Sequence, residues 1–282
     1  MKFDTELKLT KPFGPWMLKA KLPEEVLNKM IKITDKISDD TMKISLGHGL
    51  AGMIEDEPFV PDEILKSEGI FDFFVDLGKY YVEESMKRTM DADDALEHII
   101  SGGYSTPVEK KVYVKGDETI ERTKPDLKIN MEAMWIVNQK EGEYNPAHLH
   151  TNASISSVMY LKIPKFRPRN LPGKKEMDGK IEFIYGANGE VWQTFDSGTL
   201  SVLPEVGDLF MWPSDLLHTV YPFLGDGVRR SVSYNLIHSY EKKEAEVPIQ
   251  IKTGKVVSMN EARLETKIGL LEDELKKVKS KK

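Results

Sequence analysis

Gly142-Glu-Tyr-Asn-Pro-Ala-His148-Leu-His150 is the stretch that decides how this 282-residue chain is read. A turn from Gly142 to Pro146 leads into an extended segment in which two histidines stand two residues apart. Side chains at i and i+2 of a strand share a face, so both imidazoles project the same way. A third histidine, His218, follows the apolar run Gly207–Trp212 and the turn Pro213-Ser-Asp-Leu-Leu217. An imidazole brought from a distant strand closes one face of an octahedron and leaves other positions open, as in mononuclear non-haem iron sites. The pattern predicts a metal site of His148, His150 and His218 at the mouth of a β-barrel. Asp215, close to His218 in sequence, is the alternative to His150 as ligand. The chain has six histidines, and His48, His98 and His238 are read as ordinary residues.

Outward from this site the period of the sequence changes. Residues 1–20 alternate weakly around a turn at Pro12 to Pro15, and 23–38 carry Val26, Met30, Ile33 and Ile37 near helical spacing. A longer helix is expected from Pro61 to Arg88, and a shorter one from Asp91 to Ile100. From Val108 to Leu236 the period is mostly two, with runs at 112–114, 131–137, 156–163, 181–185, 200–203, 207–212 and 230–237 separated by turn clusters. Helices first and strands later make an α+β chain. The expected fold is a double-stranded β-helix (a jelly roll, cupin-like in geometry) with N-terminal helices packed on it. The expected divisions are a helical layer at 1–107, a jelly-roll core at 108–245 and a C-terminal amphipathic helix at 255–282. In that helix Leu264, Ile268, Leu271, Leu275 and Val278 form a short heptad seam. The seam predicts a helix lying on its own domain, with a coiled coil joining two copies into a homo-oligomer as the alternative.

Eleven residues after His218 comes Arg229-Arg-Ser-Val-Ser-Tyr-Asn235. On a strand, Arg229, Ser231 and Ser233 share one face, while Arg230, Val232 and Tyr234 share the other. An inward arginine beside a hydroxyl forms a carboxylate clamp, because the guanidinium offers a bidentate, charge-assisted pair. Burying that arginine without an anion is costly, so an acidic ligand is expected beside the metal.

Taken together, Trp135-Ile-Val-Asn138, Asn145-Pro-Ala-His-Leu-His150, Ser156-Ser-Val-Met-Tyr-Leu161, Gly207-Asp-Leu-Phe-Met-Trp-Pro213, His218-Thr-Val220 and Arg229-Arg-Ser231 with Tyr234-Asn235 resemble the Fe(II)/2-oxoglutarate-dependent oxygenases. The narrower resemblance is to the 2OG-Fe(II) oxygenase family of bacterial and phage type, related to prolyl hydroxylases. It covers about residues 130–240. The resemblance implies Fe(II) and 2-oxoglutarate as cofactor and cosubstrate, and an unknown substrate oxidised while 2-oxoglutarate decarboxylates to succinate. It makes His148 and His218 iron ligands and puts His150 where the wider superfamily has Asp or Glu. It assigns the distal 2-oxoglutarate carboxylate to Arg229 and Ser231, with Tyr160 as a further donor and Asn138 as a polar contact in the pocket. Gly142 and His-x-His, with Gly207, Pro213 and His218, also resemble the two halves of a cupin signature without its glutamate. Two other readings stay open. One is a three-histidine dioxygenase or isomerase that uses no 2-oxoglutarate; the other is a non-catalytic metal-binding barrel.

Composition bounds the rest. Net charge is −6, which gives no case for binding nucleic acid or an anionic membrane. Cysteine is absent, which excludes disulfides, thiolate ligands and cysteine nucleophiles. Met1-Lys-Phe-Asp4 carries no apolar core of a signal peptide, and no apolar run is long enough to span a membrane. A cytoplasmic enzyme acting on a small molecule or peptide is the expectation.

Overall fold

The computed structural model describes residues 3–12, 14–90, 108–114, 117–123, 126–186, 198–241, 249–250 and 256–257. The elements are β1 (Leu7–Thr10), β2 (Met17–Lys21), α1 (Glu24–Asp39), a 3-10 turn (Gly47–Gly49), α2 (Asp62–Ser67), α3 (Phe71–Thr89), β3 (Val108–Val114), β4 (Asp117–Thr123) and β5 (Asp126–Gln139). They continue with β6 (Asn145–His148), β7 (Ile155–Lys162), β8 (Ile181–Ile184), β9 (Thr199–Val202), β10 (Asp208–Pro213), β11 (Leu217–Val220), β12 (Arg229–Glu241), β13 (Ile249–Gln250) and β14 (Val256–Val257). The chain divides into two units, Met1–Asp91 with Lys128–His238, and Ala92–Leu127 with Ser239–Lys282. Of the second, the described parts include the antiparallel hairpin β3–β4 and the short pair β13–β14. The heptad positions Leu264 to Val278 and the helix expected at 91–100 lie outside the described residues.

The first unit holds a six-stranded sheet, β1-β2-β10-β7-β12-β5, and a four-stranded sheet, β6-β11-β8-β9. In the larger sheet β1–β2, β2–β10, β10–β7 and β7–β12 pair antiparallel, and in the smaller so do β6–β11, β11–β8 and β8–β9. Successive side chains of a strand point to opposite faces, and both faces of the larger sheet are covered. On β10, Leu209 and Met211 join the helices, while Phe210 and Trp212 join the smaller sheet. On β7, Met159 and Leu161 face the helices, and Val158 and Tyr160 face the smaller sheet. Val232, Tyr234 and Leu236 of β12 also take the helical side, which leaves Arg229, Ser231, Ser233 and Asn235 for the other. Helices beside antiparallel sheets agree with the expected α+β class.

The helices pack on the larger sheet through Val26, Met30 and Ile33 of α1 and Phe73, Phe74, Leu77 and Tyr81 of α3. Phe74 meets Tyr234 of β12 edge-on, with ring centroids 5.3 Å apart. Replacing the fully buried Phe74 with alanine is expected to cost about 3–5 kcal/mol, from lost transfer energy plus the cavity left behind. Urea unfolding measures it, and a cost under about 1 kcal/mol would show that this layer does not hold the sheet.

The single helix expected over 61–88 is two. Gly69 adopts φ 68°, where a side chain would be strained. The Ile70 N–H donates to the Leu65 carbonyl and the Gly69 N–H to that of Lys66. This double closure is a Schellman stop. The N-terminal strand is likewise two, with β1 and β2 forming a hairpin.

Candidate metal centre and cofactor cleft

β6 and β11 are neighbours in the smaller sheet, and their register sets His218 directly opposite His148. His150 lies just beyond β6, where its backbone N–H donates to the Ser214 carbonyl at 2.9 Å. The three rings converge, with centroids 4.3 Å (His148–His218), 5.1 Å (His150–His218) and 5.3 Å (His148–His150) apart. One ring nitrogen of each lies within 4.8 Å of the others. Asp215 is not in this group, and no carboxylate joins it among the described residues.

The outward nitrogens define the tautomers. His148 Nδ1 is 2.7 Å from the Pro146 carbonyl, and His218 Nδ1 is 2.9 Å from that of Leu216. His150 Nδ1 is 2.7 Å from Asn235 Oδ1 on β12. Each of these oxygens is an acceptor, so each Nδ1 carries the proton and each Nε2 keeps its lone pair free. Burial pushes all three imidazoles below the ordinary histidine value, His218 to about 3. They are neutral at pH 7, the form that ligates metal. Three nitrogen donors with oriented rings fit a divalent transition metal such as Fe(II).

Spacing alone gives Asn235 no task, although it continues the i, i+2 row of Arg229, Ser231 and Ser233. As the partner that orients His150, it predicts that Asn235→Ala weakens metal affinity about 10–100-fold while His150 remains in place. Titration of the apo protein with Ni(II) measures this; an unchanged affinity would sink the role.

A cleft of about 220 Å³ opens beside the three histidines, and Tyr160, Arg229, Ser231, Ser233 and Asn235 line it. Ser231 and Tyr160 are direct cross-strand partners on β12 and β7. Arg229 is 1% exposed and stacks on Tyr160, its guanidinium 4.8 Å from the ring centroid. Its Nη1 donates to Gln139 Oε1 at 2.9 Å. Gln139 is itself held as a donor to the Glu143 and Tyr221 carbonyls. Arg229 Nε and Nη2 and the Tyr160 hydroxyl are buried without a hydrogen-bond partner. Burial pushes the guanidinium pKa down and the Tyr160 hydroxyl up. An unpaired buried cation of this kind fits an anionic group such as the distal carboxylate of 2-oxoglutarate.

Asn138 is corrected. It sits on the opposite face of β5, where Nδ2 donates to Ser38 and Asp56 and Oδ1 accepts from Arg230 Nε at 2.6 Å. The period of two explains this: Trp135 and Val137 line the cleft, so Asn138 must turn away.

Sequence reading also misses Glu57, which lines the same cleft. Its segment runs antiparallel along β5, with Val60 N–H donating to Met134, Ile136 N–H to Pro58 and Asn138 N–H to Asp56. Burial, helped by the charge of Glu143, raises the Glu57 carboxyl from the ordinary 4.5 to about 7. The folded protein therefore holds a proton that the unfolded chain releases. Stability falls as pH rises from about 4.5 through about 7, by about 2 kcal/mol after allowance for solvent screening. Glu57→Gln is expected to remove that part of the slope. Thermal unfolding of both proteins across pH 5–8 measures it, and superimposable profiles would contradict it.

Two antiparallel sheets thus hold a three-histidine cluster that could bind a metal, and a buried arginine, in one cleft. Residues 133–235 match the family model described as "Putative 2OG-Fe(II) oxygenase". Among solved structures, a viral collagen prolyl hydroxylase from Paramecium Bursaria Chlorella virus-1 is similar at 12% identity, over 81% of this chain and 99% of that one, with a TM-score of 0.41. A Pseudomonas putida prolyl-4-hydroxylase is similar at 13% identity, over 80% and 92%, with a TM-score of 0.35. An oxidoreductase of the 2OG-Fe(II) oxygenase family from Burkholderia pseudomallei is similar at 13% identity over 42% of this chain, with a TM-score of 0.29, and the match spans about half (49%) of that protein. No curated protein sequence matches the chain. Among the described residues, no helix is long and apolar enough to cross a membrane.

Proposed function

We propose that this protein is an Fe(II)- and 2-oxoglutarate-dependent oxygenase that hydroxylates a carbon of its substrate, on a core of the double-stranded β-helix, or jelly-roll, class. The observation that carries the reading is Arg229, a buried guanidinium with two unpaired nitrogens in the cleft of the three-histidine cluster. A metal-binding barrel without 2-oxoglutarate has no use for that charge, and burying it unpaired is costly.

His148, His150 and His218 would hold Fe(II) through Nε2, each fixed by the acceptor at its Nδ1. Arg229, Ser231 and Tyr160 would take the distal carboxylate of 2-oxoglutarate, with Gln139 holding the guanidinium in position. When bound, Fe(II) and 2-oxoglutarate supply the oxidation: one oxygen atom of O2 goes to the substrate and one to succinate, with release of carbon dioxide. Trp135, Val137 and Trp212 wall the cleft and limit water beside the reacting centre. Three neutral imidazoles leave the full +2 charge on the metal, so the anionic cosubstrate supplies the neutralisation a carboxylate ligand would otherwise give.

The test is succinate formation by the full chain with Fe(II), 2-oxoglutarate and oxygen, each omitted in turn. Basal turnover without substrate is expected to need all three. Failure of 2-oxoglutarate to bind the metal-loaded protein removes the reading.

A further inference from the structure

Glu55, Asp56 and Glu57 are three consecutive acids with different fates. Glu55 pairs with Lys140 at 2.8 Å, and Asp56 with Lys43 at 2.8 Å. Glu57, 1% exposed, is the buried one of the three; among the described residues its carboxyl has no cation, and Oε2 is buried without a hydrogen-bond partner. Two glycines, Gly47 and Gly52, lie against it, with the Asn145 amide beside Gly52. A Cβ built on Gly47 would lie 3.5 Å from Oε2, and one built on Gly52 3.3 Å from Oε1. The other charge acting on it is that of Glu143, which repels. Backbone bonds hold its segment to β5, and Glu57 lines the cleft with His148, Leu50 and Leu149.

A buried polar group with no partner in a rigid setting calls for an explanation, and an absent ligand is one. We propose that Glu57 selects the substrate, which carries a cationic nitrogen, ammonium or guanidinium, on an alkyl body. The cation meets the carboxylate, and the alkyl part lies against Leu50 and Leu149, within reach of the metal cluster. The two charged groups of the cleft then divide the work: Arg229 takes the anionic cosubstrate and Glu57 the cationic substrate. This rests on the cleft being the oxygenase site proposed above.

The probes are n-butylguanidinium and its neutral isostere n-butylurea, neither of which competes strongly for the metal. Both are titrated by calorimetry at pH 8 into the full chain with Ni(II) and 2-oxoglutarate. The guanidinium is expected to bind about tenfold tighter than the urea, the worth of one charge-assisted bond. That ratio is expected to fall to about one in Glu57→Gln and to persist in part in Glu57→Asp, which keeps the charge. Equal binding of the two probes to wild type overturns the proposal, as does an unchanged ratio in Glu57→Gln. Should Glu57→Gln fail to fold, the wild-type ratio and Glu57→Asp still decide. The affinity of the wild-type protein for 2-oxoglutarate is read separately. Absence of that binding with the guanidinium preference intact removes the oxygenase reading, and with it the substrate role, and leaves Glu57 as a cation-binding group of the cleft.

Discussion

Arg229→Met will lower the affinity of the metal-loaded protein for 2-oxoglutarate by about 100–1,000-fold and leave its folding stability nearly unchanged. The two effects separate because the charge has no ionic partner within the described fold. Breaking a buried ion pair from one side costs about 3–5 kcal/mol, and each 1.4 kcal/mol is a factor of ten in binding. That cost falls on the liganded state. In the free protein the substitution removes a buried charge with two unpaired nitrogens and leaves Gln139 Oε1 without its donor. These changes oppose each other, since an unpaired buried acceptor costs about 1–3 kcal/mol and relief of a buried charge offsets it. Methionine keeps the side-chain length and an apolar stem against Tyr160. Calorimetric titration of 2-oxoglutarate and a urea melt give the two numbers. Unchanged affinity would dismiss Arg229 as the clamp. A collapsed melting curve would show that the arginine holds the fold.

His218→Ala will reduce metal affinity by about a thousandfold and abolish succinate formation. The free energy of an all-protein site in small zinc domains is about 10–16 kcal/mol, so one ligand carries about 3–4. His218 is also the best fixed of the three. It is buried against Trp212 and Phe183, with centroids 4.9 Å and 6.3 Å away, and its Nδ1 is tied to its own turn. Neutral alanine leaves a cavity but no unpaired charge, so the protein should remain folded. Equilibrium dialysis against Ni(II) checks the affinity. Metal retained with wild-type strength would mean that His148 and His150 bind with a partner other than His218.

Much of this site is legible in the sequence because strands have a period of two. That period predicts His148 and His150 together and sets Arg229 and Ser231 on one face of β12, although His150 itself lies just beyond β6. The same rule turns Asn138 away, since Trp135 and Val137 are its alternating neighbours. Its polarity beside an apolar run draws attention, yet it answers to Arg230 on the helical side. The rule also reaches Asn235 without giving it a task, because period does not say which imidazole a side chain will meet. β4 and β11 lie outside the alternating runs read from the sequence.

What the sequence determined by itself was local: the facing of each strand, the three nitrogen donors, the arginine with its hydroxyl neighbour, and the absence of a carboxylate at residue 150. These follow from chain geometry over a few residues. What only the tertiary structure decided was pairing across long separations. The register of β6 with β11 sets His218 against His148, and β12 brings Asn235 to His150. The strand-like run at 56–60 places Glu57 in the cleft, far ahead of His148 in the chain. Such contacts depend on which strands become neighbours, and that is settled by burial of the whole core rather than by any short segment. So the three-histidine cluster could be read from the chain, while the carboxyl of Glu57 in the same cleft needed the fold.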